Sequence, residues 1–81
     1  MAYKKQDLPY LRGVVDKVRH AEERLRTERG IIAICLGVDY LGDDDKEQLR
    51  QILAHFQGAE ETIHALTQRI RARINVLTKI N

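Results

Sequence analysis

The sequence predicts an all-α fold, an antiparallel two-helix hairpin that assembles into a dimeric four-helix bundle or a higher oligomer. Three observations lead there. Leu49, Ile52, Phe56, Ala59, Ile63, Leu66, Ile70, Arg73, Leu77 and Ile80 step by three and four without a skip, the spacing of one face of a long helix, and only Arg73 breaks the apolar series. A weaker copy precedes it in Leu11, Val14, Val18, Ala21, Leu25, Glu28, Ile32 and Cys35. Between the two series lies a short stretch with Gly37, Gly42 and several aspartates, where the chain reverses.

Helix one is expected over residues 8–36. Asp7 can accept from an orphan amide at its start, and Pro9 is tolerated in the first turn, where its missing N–H costs nothing. Gly37 suits a left-handed residue closing the helix, and an acidic turn follows over 37–44. Asp44 with Glu47 three residues on has the form of a capping box, while Asp43, Asp44 and Asp45 complement the positive end of a helix dipole. Helix two is expected over 45–79, roughly 50 Å long at 1.5 Å per residue. The run from Ile31 to Leu36 also has the look of a short β-strand, since it is rich in isoleucine and begins after Gly30.

Set antiparallel, the two series pair Cys35 with Leu49, Leu25 with Ala59 and Val14 with Ile70; Glu28 falls beside Phe56 and Arg73 beside Leu11. Such charges reach the edge of a seam by bending their aliphatic stems outward, or set register and oligomer state. Much apolar surface is left over. Ile31, Ile34, Leu36, Val38 and Leu53 gather near the turn, and Tyr10, Val15, Ile74 and Val76 near the open end. The back of helix two carries Ala54, Gly58, Ala65 and Ala72, with Gly13 and Gly30 on outer positions of helix one. A mid-helix glycine costs about 1 kcal/mol against alanine, so these positions suggest close helix approach. The oligomer interface is accordingly expected at Ile31, Ile34, Leu36, Leu53, Ala54, Gly58 and Ala65.

Size points the same way. Eighty-one residues make one domain, and small domains hide only about 60% of the surface their unfolded chains expose. With 43% apolar and 32% charged residues the composition is that of a folded helical protein. The longest apolar run is six residues, too short for a membrane span or the core of a signal peptide, so a cytoplasmic location is expected. The lone Cys35 forms no intrachain disulfide and packs as a small hydrophobe.

The net charge of +2 conceals a gradient. Residues 1–20 have five bases against Asp7 and Asp16, giving +3, and residues 62–81 have four bases and no acid, giving +4. Residues 37–61 have seven acids against Lys46 and Arg50, giving −5. A hairpin then has a basic open end and an acidic turn end. Helix two gains dipole complementarity from this, at roughly 0.3–1 kcal/mol per charge. The basic end also offers Lys4, Lys5, Arg12, Arg69, Arg71 and Arg73 to nucleic acid or an anionic nucleotide, with only Tyr3 and Tyr10 nearby to stack on a base.

Catalytic patterns are weak. There is no serine, no glycine-rich phosphate loop after a strand, and Cys35 sits in the most apolar segment, where a thiolate is disfavoured. Glu61 and His64 have the Glu-x-x-His spacing that puts both on one helical face. The stretch Gln51–His55 followed by Glu60–Ala65 resembles the second helix of encapsulated ferritin-like hairpins over about fifteen residues. That resemblance implies metal binding through Glu61 and His64, but helix one lacks a matching glutamate and the heptad turns both residues outward. The expectation is a non-enzymatic, cofactor-free protein that associates with itself and with another protein as a regulator, inhibitor or adaptor, of a size common among phage and mobile-element products. Binding of nucleic acid or a nucleotide at the basic end, and metal binding at Glu61 and His64, are the alternatives.

Overall fold

A computed structural model describes residues 4–79. Tyr3 and Ile80, used above, lie outside the described residues. A 3₁₀ turn at Lys5–Asp7 leads into helix α1, Leu8–Cys35, and a seven-residue connection leads to helix α2, Asp43–Thr78. The helices pack against each other along a rod 62 × 18 × 14 Å, and no described residue is in a strand. Ile31–Cys35 complete α1: isoleucine there continues a helix already 23 residues long, so the strand reading does not hold.

The ends of the helices differ from expectation. Asp7 does not cap α1; its carboxylate accepts the Lys4 backbone N–H at 2.9 Å, closing the 3₁₀ turn instead. Gly37 is not left-handed, and α1 ends by tightening: Leu36 N–H donates to Ala33 O and Gly37 N–H to Ile34 O. Gly42 is the cap residue of α2, without a side-chain bond, so Asp44 lies inside the helix and makes no capping box with Glu47. Asp43, Asp44 and Asp45 still fill the first turn, where the helix dipole favours them.

The seam is also rotated from the one read in the sequence. Call its two inward positions a and d, with e and g flanking them. In α1 and its last turn the a residues are Leu8, Val15, Glu22, Arg29 and Leu36, and the d residues are Leu11, Val18, Leu25 and Ile32; all nine are buried or half-buried. In α2 they are Lys46, Leu53, Glu60, Thr67 and Ile74, with Leu49, Phe56, Ile63, Ile70 and Leu77. The d series was expected. The other half was not: Val14, Ala21 and Glu28 give way to Val15, Glu22 and Arg29, while Ile52, Leu66 and Arg73 are exposed and Leu53, Thr67 and Ile74 take their place. Ala59 stays half-buried beside its replacement, Glu60. Cys35 is likewise half-buried at the edge, its thiol directed at Ile31 O, 3.7 Å away.

The dry part of the core sits at the open end, where Leu8, Leu11 and Val15 meet Ile70 and Leu77, with Ile74 against them. Val15 and Ile74 are therefore core, not part of a wet cluster; only Tyr10 and Val76 of that group remain exposed. Replacing Ile70 by alanine should cost about 2–4 kcal/mol of unfolding free energy through the cavity left behind, read by urea titration. No large side chain among the described residues is fully enclosed, as expected of two helices with a single seam. A Cβ built on Gly13, Gly30 or Gly58 meets nothing within 4 Å, so within one chain these glycines mark no close approach.

Candidate functional site

Midway along the rod the apolar seam is interrupted by charge. Glu60, only 7% exposed, accepts two bonds from the Arg29 guanidinium, at 2.7 Å from Nε and 3.3 Å from Nη2. Arg26 Nε stands 3.7 Å from the other Glu60 oxygen, and its Nη2 is 3.8 Å from Glu22. Glu22 also faces His64 Nδ1 at 3.7 Å. Thr67, one turn further along, is the most buried of the polar seam residues and donates its hydroxyl to Ile63 O at 2.9 Å. Every buried side-chain polar atom among the described residues has a hydrogen-bond partner, so the layer is a satisfied one. Helix periodicity produces it: Glu22 and Arg29 are one heptad apart in α1, and Glu60 and Thr67 one heptad apart in α2.

This layer separates two unlike flanks. On one side Arg26, Gln57 and His64, all at e, border a shallow groove with Glu22 and Glu60 at its floor. The e positions of both helices thus share one flank, and towards the open end it continues with Arg19 and Arg12 on α1 and Arg71 on α2. On the other side are the g positions, with Val14 and Ala21 on α1 and Ile52, Ala59 and Leu66 on α2. Ile52 and Leu66 are each 40% exposed and Val14 43%, high for large aliphatic side chains so near a seam.

The residues singled out in the sequence are redistributed by this geometry. Leu36 and Leu53 belong to the intrachain seam rather than to an outer interface. Ile31, Ile34, Ala54, Gly58 and Ala65 are exposed and lie on outer b, c and f positions, with Ala65 at the rim of the e-flank groove. Of the basic set, Arg12 and Arg71 share the e flank, Arg73 lies on the opposite g flank and Arg69 on the back; Lys4 and Lys5 precede α1. Glu61 and His64 both line the groove, but His64 turns to Glu22, and the described residues contain no group of three or more His, Cys, Asp or Glu placed to hold a metal ion. Residues missed by periodicity alone were Glu22, Arg29, Glu60 and Thr67. The signal available was opposite charge at equivalent heptad positions, Arg29 in one helix and Glu60 in the other. No helix among the described residues is long and apolar enough to cross a membrane. No family model, curated protein or solved structure matches the chain.

Proposed function

We propose that the protein is a non-enzymatic interaction module that pairs with a second copy of itself through the d/g flank, forming an antiparallel four-helix bundle. In that form it acts on another protein as a regulator, inhibitor or adaptor, consistent with the small proteins of phages and mobile elements. One observation carries the reading: Val14, Ala21, Ile52 and Leu66 form an apolar strip along one flank, beside the buried and half-buried d residues, which no described residue covers. Apart from Glu28, Asp45 and Arg73, the d and g positions of both helices are apolar, the width that a bundle helix buries and wider than a two-stranded seam requires. Area is sufficient too. A rod face of 62 × 18 Å amounts to about 1,000 Å², against about 800 Å² per partner in a standard interface.

Charge supports a second copy as the occupant and its direction. The chain termini carry +3 and +4 and the turn region −5, so reversing one hairpin on the other lays each basic end over an acidic one. A parallel pair sets like against like. With the two-fold axis across the midpoint of α1, α1 lies on the partner's α1 in the opposite direction, and an interface of this kind is isologous. Ala21, near the midpoint of Leu8–Cys35, then approaches its own copy, while Cys35 lies about 20 Å from the axis.

Light scattering at micromolar concentration should give twice 9.4 kDa. Under mild oxidation the Ala21→Cys, Cys35→Ser protein should form a disulfide-linked dimer, because a disulfide needs Cα atoms within about 7 Å. The unaltered protein should not. A mass of 9.4 kDa removes the self-association. A dimer that fails to link through position 21 keeps the self-association but removes the antiparallel arrangement.

A further inference from the structure

The e flank has a different chemistry, and it stays open when the d/g flank is covered. Arg12 and Arg19 are one heptad apart on α1, about 10.5 Å along the axis, and Arg71 borders the same flank from α2. All three are exposed, and among the described residues none of them is engaged in an ion pair or hydrogen bond. Arg26, next in the series, differs: it is spent on Glu22 and Glu60. Few acids stand near the other three: Glu22 and Glu23 follow Arg19 by three and four residues, and Glu22 is turned to Arg26 and His64. Residues 64–78 contain no acid, and between Arg12 and Arg19 the single carboxylate is Asp16, which faces His20 at 3.9 Å.

We infer that Arg12, Arg19 and Arg71 form a binding ladder for the phosphodiester backbone of double-stranded nucleic acid, without preference for sequence. Guanidinium groups held in a row on two rigid helices match phosphates presented along the outside of a duplex. Single strands fit less well, because among the described residues no aromatic side chain stands at an e position to stack on an unpaired base: Phe56 is at d, Tyr10 at c, and Tyr40 in the connection. The long amide and acidic side chains that could read base edges, Gln57 and Glu61, sit at the groove beside Glu60, ten residues or more before Arg71 on α2. Affinity on this flank is therefore electrostatic. The site is independent of the dimer contact, since the two use opposite flanks and share no residue.

The test is fluorescence anisotropy with a labelled 20-base-pair duplex of mixed sequence, between 50 and 200 mM KCl. Three phosphate contacts predict a slope of log affinity against log salt near −2.7, a fall of about 40-fold across that range. The triple substitution Arg12→Gln, Arg19→Gln, Arg71→Gln should lower affinity at 50 mM salt at least tenfold and flatten the slope, with an unchanged melting curve by circular dichroism. A second triple substitution, Lys17→Gln, Arg24→Gln, Arg69→Gln, removes the same charge from c positions on the outer faces and should leave binding within twofold. Absence of binding at 50 mM salt, or an equal loss from the c-position variant, overturns the ladder. Tighter binding to phosphatidylserine vesicles than to the duplex, lost with the same three arginines, assigns the flank to a lipid surface instead and also overturns it.

Discussion

Placing aspartate at both Ile52 and Leu66 should reduce the mass in solution to 9.4 kDa. Both side chains are 40% exposed in the single chain, so roughly half of the about 1.5–3 kcal/mol of full burial remains to be gained on association. A symmetric dimer counts each twice, which makes about 4 kcal/mol from the four side chains and about a thousandfold in dissociation constant. The carboxylates add a desolvation cost to that loss. Ile34→Asp is the contrasting substitution. Ile34 is the more exposed residue, at 74%, yet it lies on the outer face of α1, and its substitution should leave the mass unchanged. Light scattering over a concentration series checks both. A dimer that survives the double aspartate variant, or one that dissociates with Ile34→Asp, moves the interface to the outer face near the turn.

How the sequence misjudged the seam follows from what periodicity can detect. The d residues were legible in both helices, from Leu11 to Ile32 and from Leu49 to Leu77, because they are apolar at a strict interval of seven and border the a and g positions alike. The other half of the seam was then assigned to the g positions, where Ala21, Ala59 and Leu66 are more apolar than Glu22, Glu60 and Thr67, although that choice also took Arg73 in place of Ile74. Pairing was invisible to it. Arg29 and Glu60 are 31 residues apart, and their place in the seam depends on their joint geometry, not on the hydropathy of either. The same blindness hid the two flanks proposed as interaction surfaces. What was read as an inner seam is the flank left apolar and open, and the basic end read as one patch divides between two flanks and a back. The turn was misread for a local reason: Gly37 can adopt a left-handed conformation, but α1 closes through 3₁₀ bonds that any residue can form.

The charged layer itself should be a net cost in stability that is retained for specificity, and a double-mutant cycle separates the two. Glu60→Ala removes the acceptor of both Arg29 bonds and leaves the guanidinium against an apolar seam. Breaking a buried pair on one side typically costs about 3–5 kcal/mol. Arg29 is 39% exposed in its side chain, so it can reach water, and about 1–3 kcal/mol is the expected loss here. Replacing both residues, Arg29→Leu with Glu60→Leu, should bring stability back to that of the unaltered chain or above it, because neither charge then has to be desolvated. The consequence lies in assembly. With Glu60 and Arg29 gone, the a positions become nearly as apolar as the g positions, and helix α2 loses the feature that directs Ile52 and Leu66 outward. The double leucine variant should therefore populate more than one oligomer by light scattering, where the unaltered chain should give one. Urea unfolding supplies the stability arm of the cycle. A double variant less stable than the unaltered chain would mean that the pair contributes net stability, and a double variant that stays a single dimer would mean that the d residues alone choose the flank.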